Sequence, residues 1–144
     1  MPLPRPVPGL VLRYSYLWRE EYLKGLEEGR KDRPCAVILV VEDESGRQVV
    51  TVLPVTHSPP SDPSQALEIP VETKRRLGLD DERSWVVMTQ ANQFAWPGPD
   101  LRPAKPGEAG SVAYGHLPRT FFEHLRKRFV TMVKARRVGL VGRS

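Results

Sequence analysis

The chain has 144 residues, 40% hydrophobic and 27% charged, which is enough for one domain with a core and ordinary for a soluble protein. No stretch approaches the roughly 20 apolar residues of a membrane span, and a single cysteine, Cys35, excludes an internal disulfide. The 22 basic residues outnumber the 17 acidic ones, and the excess is local: residues 119–144 hold eight Lys/Arg against one acid, Glu123.

That basic segment reads either as a phosphate-facing surface or as a solvated helix face. Cys35 reads as a small buried side chain in a reducing compartment, so a cytoplasmic location without membrane contact is expected. Proline is the compositional outlier, at 15 residues. Prolines beside short apolar runs favour short strands and tight turns over a helical bundle. The start, MPLPRPVPGL, is too proline-rich for the apolar helix of a signal peptide. Residues 1–8 are expected to be a flexible proline-rich start and residues 9–144 a single domain.

Residues 9–16, GLVLRYSY, have strand composition. In residues 18–28, Trp18, Tyr22 and Leu26 recur every four residues, which predicts one short helical stripe interrupted by Gly25. Cys35–Val41 is an apolar, β-branched run, and Pro34 is tolerated at a strand's first residue because it has no N–H to offer the ladder. Ser45-Gly46 supplies a turn and VVTVLPV returns, so a hairpin is predicted. THSPPSDPSQ is a loop, LEI a brief strand, and VETKRRL a helix entered at Pro70 and stopped at Gly78. SWVVMTQ is predicted to be one strand, FAWPGPDLRPAKPGEAG a proline-rich loop, and SVAYG a strand. Pro118 opens a final amphipathic helix whose core stripe is Phe122, Leu125, Phe129, Met132 and Val133. The predicted fold class is mainly β (α+β): a barrel-like meander with one short helix and a closing amphipathic helix.

Several chemistries find no motif. There is no glycine-rich phosphate loop, no GxSxG elbow and no HExxH pair. Three histidines and one cysteine show no metal-ligand spacing, so neither a metal nor another cofactor is expected. The acidic clusters 42–44 and 80–82 fall in predicted turns and read as solvated.

The order Gly9-Leu10-Val11, Lys31-Asp32-Arg33-Pro34, Pro54-Val55-Thr56, Thr89-Gln90 and the helix from Pro118 resembles the PemK/MazF-like toxins of bacterial toxin–antitoxin pairs. In that family K-x-R-P enters an apolar strand, a hairpin strand ends in P-x-T, and a D-Q-like pair precedes a closing helix. The resemblance implies an SH3-like barrel, a homodimer, metal-independent cleavage of single-stranded RNA, and a cognate antitoxin protein as partner. It places active-site residues at Arg33 and Thr56. Leu10 and Thr89 stand where the family often has acids, and the 17–30 excursion replaces a loop that helps cover the active site there.

Metal-free RNA cleavage uses the 2′-OH as nucleophile on the adjacent phosphorus. It needs a base, donors for charge on the phosphoryl oxygens, and an acid for the leaving oxygen. A guanidinium is always charged and can hold two phosphate oxygens at once. Pro34 biases Arg33 toward extended backbone, which aims it from the strand's mouth. The competing reading has Arg33 capping the barrel rim against a carboxylate. Thr56 is a candidate donor to a phosphoryl oxygen, and His57 is either a proton-transfer group active near neutral pH or a surface loop histidine. Lys31, Gln90, Trp96, Arg126 and Lys127 are the candidate RNA contacts; base stacking competes with core or dimer packing for Trp18, Phe94 and Trp96, and Trp96, in a proline-rich loop, is the best stacking candidate of the three. A second functional reading keeps the fold without catalysis, as a barrel that binds a protein target or RNA. The Arg33/Thr56 pair separates the two, since binding alone does not require it.

Overall fold

The structure is a computed structural model that describes residues 3–26, 31–108 and 110–143. Among these, strands β1 (Leu10–Tyr14), β2 (Arg33–Glu42), β3 (Gln48–Thr56), β4 (Ala66–Glu68), β5 (Trp85–Val87), β6 (Gln90–Ala95), β7 (Ala113–His116) and β8 (Gly139–Gly142) form an eight-stranded sheet. The helices are α1 (Arg19–Leu23), α2 (Val71–Leu77) and α3 (Arg119–Lys134). The class is α+β and mainly antiparallel. The hydrogen-bonded path runs β4-β5-β3-β2-β1-β7, with β6 on β3 and β8 on β6, and the sheet does not close on itself. No helix of the described residues is long and apolar enough to cross a membrane.

Alternation explains why β1, β2 and β3 read as unbroken apolar runs. Successive side chains point to opposite faces, and here both faces are covered. One face receives Val11, Ala36, Ile38, Leu53 and Val55, which pack with Leu77, Leu125 and Met132 of the helices. The other receives Leu10, Leu12, Tyr14, Cys35, Val37, Val50 and Val52, packed with Tyr16 and Phe94. Cys35 is fully buried, and burial pushes its thiol far above the ordinary range, in line with the inert reading.

The predicted hairpin forms, with partners running from Glu42↔Gln48 to Cys35↔Pro54. Its far end is shared. Along one edge of β3, Val49–Val52 pair with β6 and Val55–Thr56 pair with β5. Helix α2 has the predicted bounds and stops at Gly78, whose φ of 68° is left-handed and suits a residue without Cβ.

Four expectations need correction. SWVVMTQ is not one strand: β5 ends at Val87, and β6 starts at Gln90 and runs into the segment predicted as loop. The predicted helical stripe over residues 18–28 is shorter than expected: α1 covers five residues, Trp18 is its N-cap, and Tyr22 is 52% exposed. Residues 27–28 of that predicted helix lie outside the described residues. In α3, Leu125 and Met132 are buried and Phe122 and Phe129 pack on the core, but Val133 faces solvent. The chain also continues past α3 into β8, parallel to β6.

Candidate functional site

The β2–β3 register decides the site. Because Cys35 sits opposite Pro54, the entry of β2 lies against the exit of β3. Arg33 reaches across that rim, and its Nη1 donates to the Val55 carbonyl at 3.2 Å. Its guanidinium carbon lies 4.9 Å from the centre of the Trp18 ring, a cation–π contact. Its Nε is buried without a hydrogen-bond partner, and burial lowers the group's pKa from the ordinary arginine value. The competing sequence reading, an arginine capping the rim, is thus partly met: a backbone carbonyl and an indole hold it. Thr56 Oγ1 accepts from the Ser58 N–H at 3.2 Å, which leaves its own proton to donate.

His57 follows one residue beyond the Thr56↔Trp85 pair, so it faces Ser84 and Arg83. Its Nδ1 lies 3.0 Å from the Arg83 carbonyl and 3.1 Å from the Ser84 hydroxyl. Its Nε2 lies 2.9 Å from Asp80 Oδ2 and 3.4 Å from Glu82 Oε2. Behind Asp80 stands Lys74, only 4% exposed. The Lys74 ammonium donates to Asp80 Oδ1 and Ser84 Oγ, each at 2.8 Å, and to the Glu82 carbonyl. Burial alone would push the Asp80 carboxyl up. The Lys74 hydrogen bond and the charges of His57 and Lys74 outweigh it and hold Asp80 below the ordinary carboxylate range. Ligand atoms of His57, Asp80 and Glu82 come within 4.8 Å of one another, close enough to hold a metal ion. Asp80 is already neutralised there by Lys74, so a cation would have to compete with a buried ammonium.

Arg33, Thr56 and His57 line one cavity of about 170 Å³, together with Lys31, Asp80 and Ser84. Lys31 and Arg33 also line a second cavity of about 360 Å³. Thr56 also lines a third, of about 330 Å³, with Ser58, Ser61, Gln65, Thr89 and Gln90. Trp18 and Glu20 belong to both the second and the third. The three cavities therefore meet around Arg33, Trp18 and Thr56.

The remaining predicted contacts divide. Lys31 and Gln90 line these cavities, and Gln90 Oε1 also accepts from the Arg19 N–H at 2.9 Å. Trp96 packs on Phe94 and the core, with ring centres 6.2 Å apart, and lines none of the three cavities. Arg126 pairs with Glu123 at 3.0 Å on the exposed side of α3, and neither Arg126 nor Lys127 lines them. From the same basic segment, Arg128 donates to the Pro63 carbonyl and Arg137 pairs with Asp62, which fixes the segment carrying Ser61 and Gln65. Lys74 and Ser84 escaped sequence reasoning, and Asp80 and Glu82 read only as part of a solvated acidic turn; β3–β5 pairing is what brings Ser84 and that turn to His57.

No protein-family model matches the chain, and no curated protein matches it.

Proposed function

We propose that the protein is a metal-independent endoribonuclease of the PemK/MazF-like class, cutting single-stranded RNA. The observation that carries the reading is the convergence of Arg33, Thr56 and His57 on one cleft. Arg33 comes from the K-x-R-P stretch and Thr56 from the P-x-T stretch 23 residues on, with His57 next to Thr56. The 2′-oxygen forms a bond to phosphorus while the bond from phosphorus to the 5′-oxygen breaks, leaving a 2′,3′-cyclic phosphate and a 5′-OH. Arg33 takes the phosphoryl oxygens through the donors that Val55 does not use. The Thr56 hydroxyl donates to the same group. His57 takes the proton of the 2′-OH and returns it to the departing 5′-oxygen. Asp80 and Glu82 hold its Nε2, while Nδ1 has only neutral partners and is the nitrogen for which substrate can compete.

The fold reading belongs to the same proposal: an SH3-like barrel, here left open between β4 and β7. In support, β3 serves two different strands along one edge, which turns the sheet as a small barrel requires. A homodimer and an antitoxin partner complete it. Leu39 and Val41 on the outer half of β2 offer exposed apolar surface for such a contact.

A binding-only reading is favoured by one observation: both ring nitrogens of His57 already have protein partners. Incubation with single-stranded RNA in excess EDTA, followed by end-group analysis, separates the two. The nuclease reading expects 2′,3′-cyclic phosphate and 5′-OH ends. RNA that is bound and left whole would replace it with the binding reading.

A further inference from the structure

The two ring nitrogens of His57 stand in different surroundings. The Arg83 carbonyl, 3.0 Å from Nδ1, can only accept, so Nδ1 carries a proton toward it. Ser84 does not need Nδ1 as an acceptor, since its hydroxyl also reaches the Glu82 carbonyl at 3.3 Å. In a neutral ring Nε2 then presents a lone pair, and that lone pair faces Asp80 Oδ2 at 2.9 Å and Glu82 Oε2 at 3.4 Å. Three lone-pair groups this close need a cation among them, either a proton on Nε2 or a metal ion.

The spacing suits a small metal ion. Ligands about 2.0–2.1 Å from a tetrahedral Zn²⁺ stand about 3.3 Å apart. The three ligand atoms here all lie within 4.8 Å of one another, with the histidine close to that ideal from both carboxylates. The side chains of His57, Asp80 and Glu82 are 41%, 50% and 69% exposed, so an ion and a water to complete its shell reach them from solvent. The supports behind them are those of a metal site. A metal-binding histidine typically donates its other ring N–H to a carbonyl or carboxylate, as Nδ1 does to Arg83. Asp80 is oriented through its other oxygen, Oδ1, which accepts from the Lys74 ammonium at 2.8 Å and the Glu82 N–H at 3.1 Å. That leaves Oδ2 turned to His57. Lys74 also selects the ion, because it cancels one of the two carboxylate charges. Mg²⁺ and Ca²⁺ depend on several oxygen ligands. Zn²⁺ and its first-row neighbours take imidazole and carboxylate together.

We infer that His57, Asp80 and Glu82 form a binding site for a Zn²⁺-class divalent ion, and that filling it switches His57 off as a base. An ion on Nε2 keeps the ring proton on Nδ1, the nitrogen that has to be free to take the 2′-OH proton. The switching half rests on the RNA reading of the cleft; the site itself does not.

Calorimetric titration of metal-free protein tests the site without RNA. Zn²⁺ is expected to bind at one ion per chain, about 10-fold or more tightly than Mg²⁺. His57→Ala and Glu82→Gln, both at exposed side chains, are each expected to weaken Zn²⁺ binding about 10-fold or more, and His116→Ala, outside the cluster, to leave it unchanged. Zn²⁺ at a site-filling level is expected to stop RNA cleavage by wild type, and excess EDTA to restore it. Wild type that does not bind Zn²⁺, binding that survives both substitutions, or Mg²⁺ bound as tightly would overturn the site. Zn²⁺ that binds while cleavage continues, or cleavage that is lost in EDTA, would overturn the switch. A protein that binds Zn²⁺ as expected but cuts no RNA with or without EDTA would confirm the site and overturn the RNA reading.

Discussion

Lys74 is buried on α2, and its ammonium is tolerated because Asp80, Ser84 and the Glu82 carbonyl all converge on it. Replacing it with methionine keeps the length and removes the donor. Lys74→Met is expected to lose about 1–3 kcal/mol of stability, as acceptors on the buried side lose their partner, and urea unfolding measures it. Asp80 adds a pH dependence. Its carboxyl titrates below the ordinary aspartate value of about 3.9, so its contribution is present above that pH and is lost as pH falls through the lowered pKa. Urea midpoints followed from pH 6 downward should therefore drop in acid, and Asp80→Asn should flatten part of that drop. Residues such as Arg33 and Thr56 were legible because a hairpin is local and its register follows from its turn. Lys74 was not. Nothing in VETKRRL distinguishes a buried lysine from the solvated Arg75 and Arg76 beside it; the partners that bury it lie on another segment.

At the scale of elements, β8 was the least legible and is among the most firmly tied. Gly139–Gly142 is too short to show a period, and its strand identity comes from lying parallel to β6. Arg143 follows it with a side chain only 3% exposed, paired to Asp100 at 2.8 Å and bonded to Asn92 and the Ser15 carbonyl. Asn92 in turn holds both the N–H and the carbonyl of Leu17, the residue ahead of Trp18. The chain's end thus braces the segment that delivers Trp18 to the cleft. Arg143→Ala is expected to cost about 3 kcal/mol or more, because it removes the closest cation from a buried carboxylate. Equal denaturation curves for Arg143→Ala and wild type would show that β8 holds without this anchor. The split of SWVVMTQ has a similar cause. Both β5 and β6 pair with β3, so the chain must break between them at Met88–Thr89, and local composition carries no trace of a partner strand.

Across the whole molecule, the cleft is assembled from segments far apart in sequence: the stretch around Trp18, the β2–β3 rim, and the α2–β5 connection with Asp80. Sequence patterns located the rim, the one part made by neighbours in the chain. The other two arrive through tertiary pairing, which is why Trp18 read as a packing residue and Asp80 as a solvated turn. The central claim is that Arg33 stabilises charge on a phosphoryl group. The measurement that tests it most directly is the RNA-cleavage rate of wild type, Arg33→Ala and Arg33→Lys in EDTA, with melting temperatures taken on the same samples. Arg33→Ala is expected to lower cleavage on the order of 10²–10³-fold while remaining folded, and Arg33→Lys to recover only part, since lysine keeps the charge and loses the fork. A folded Arg33→Ala protein that cleaves RNA at the wild-type rate would contradict the claim.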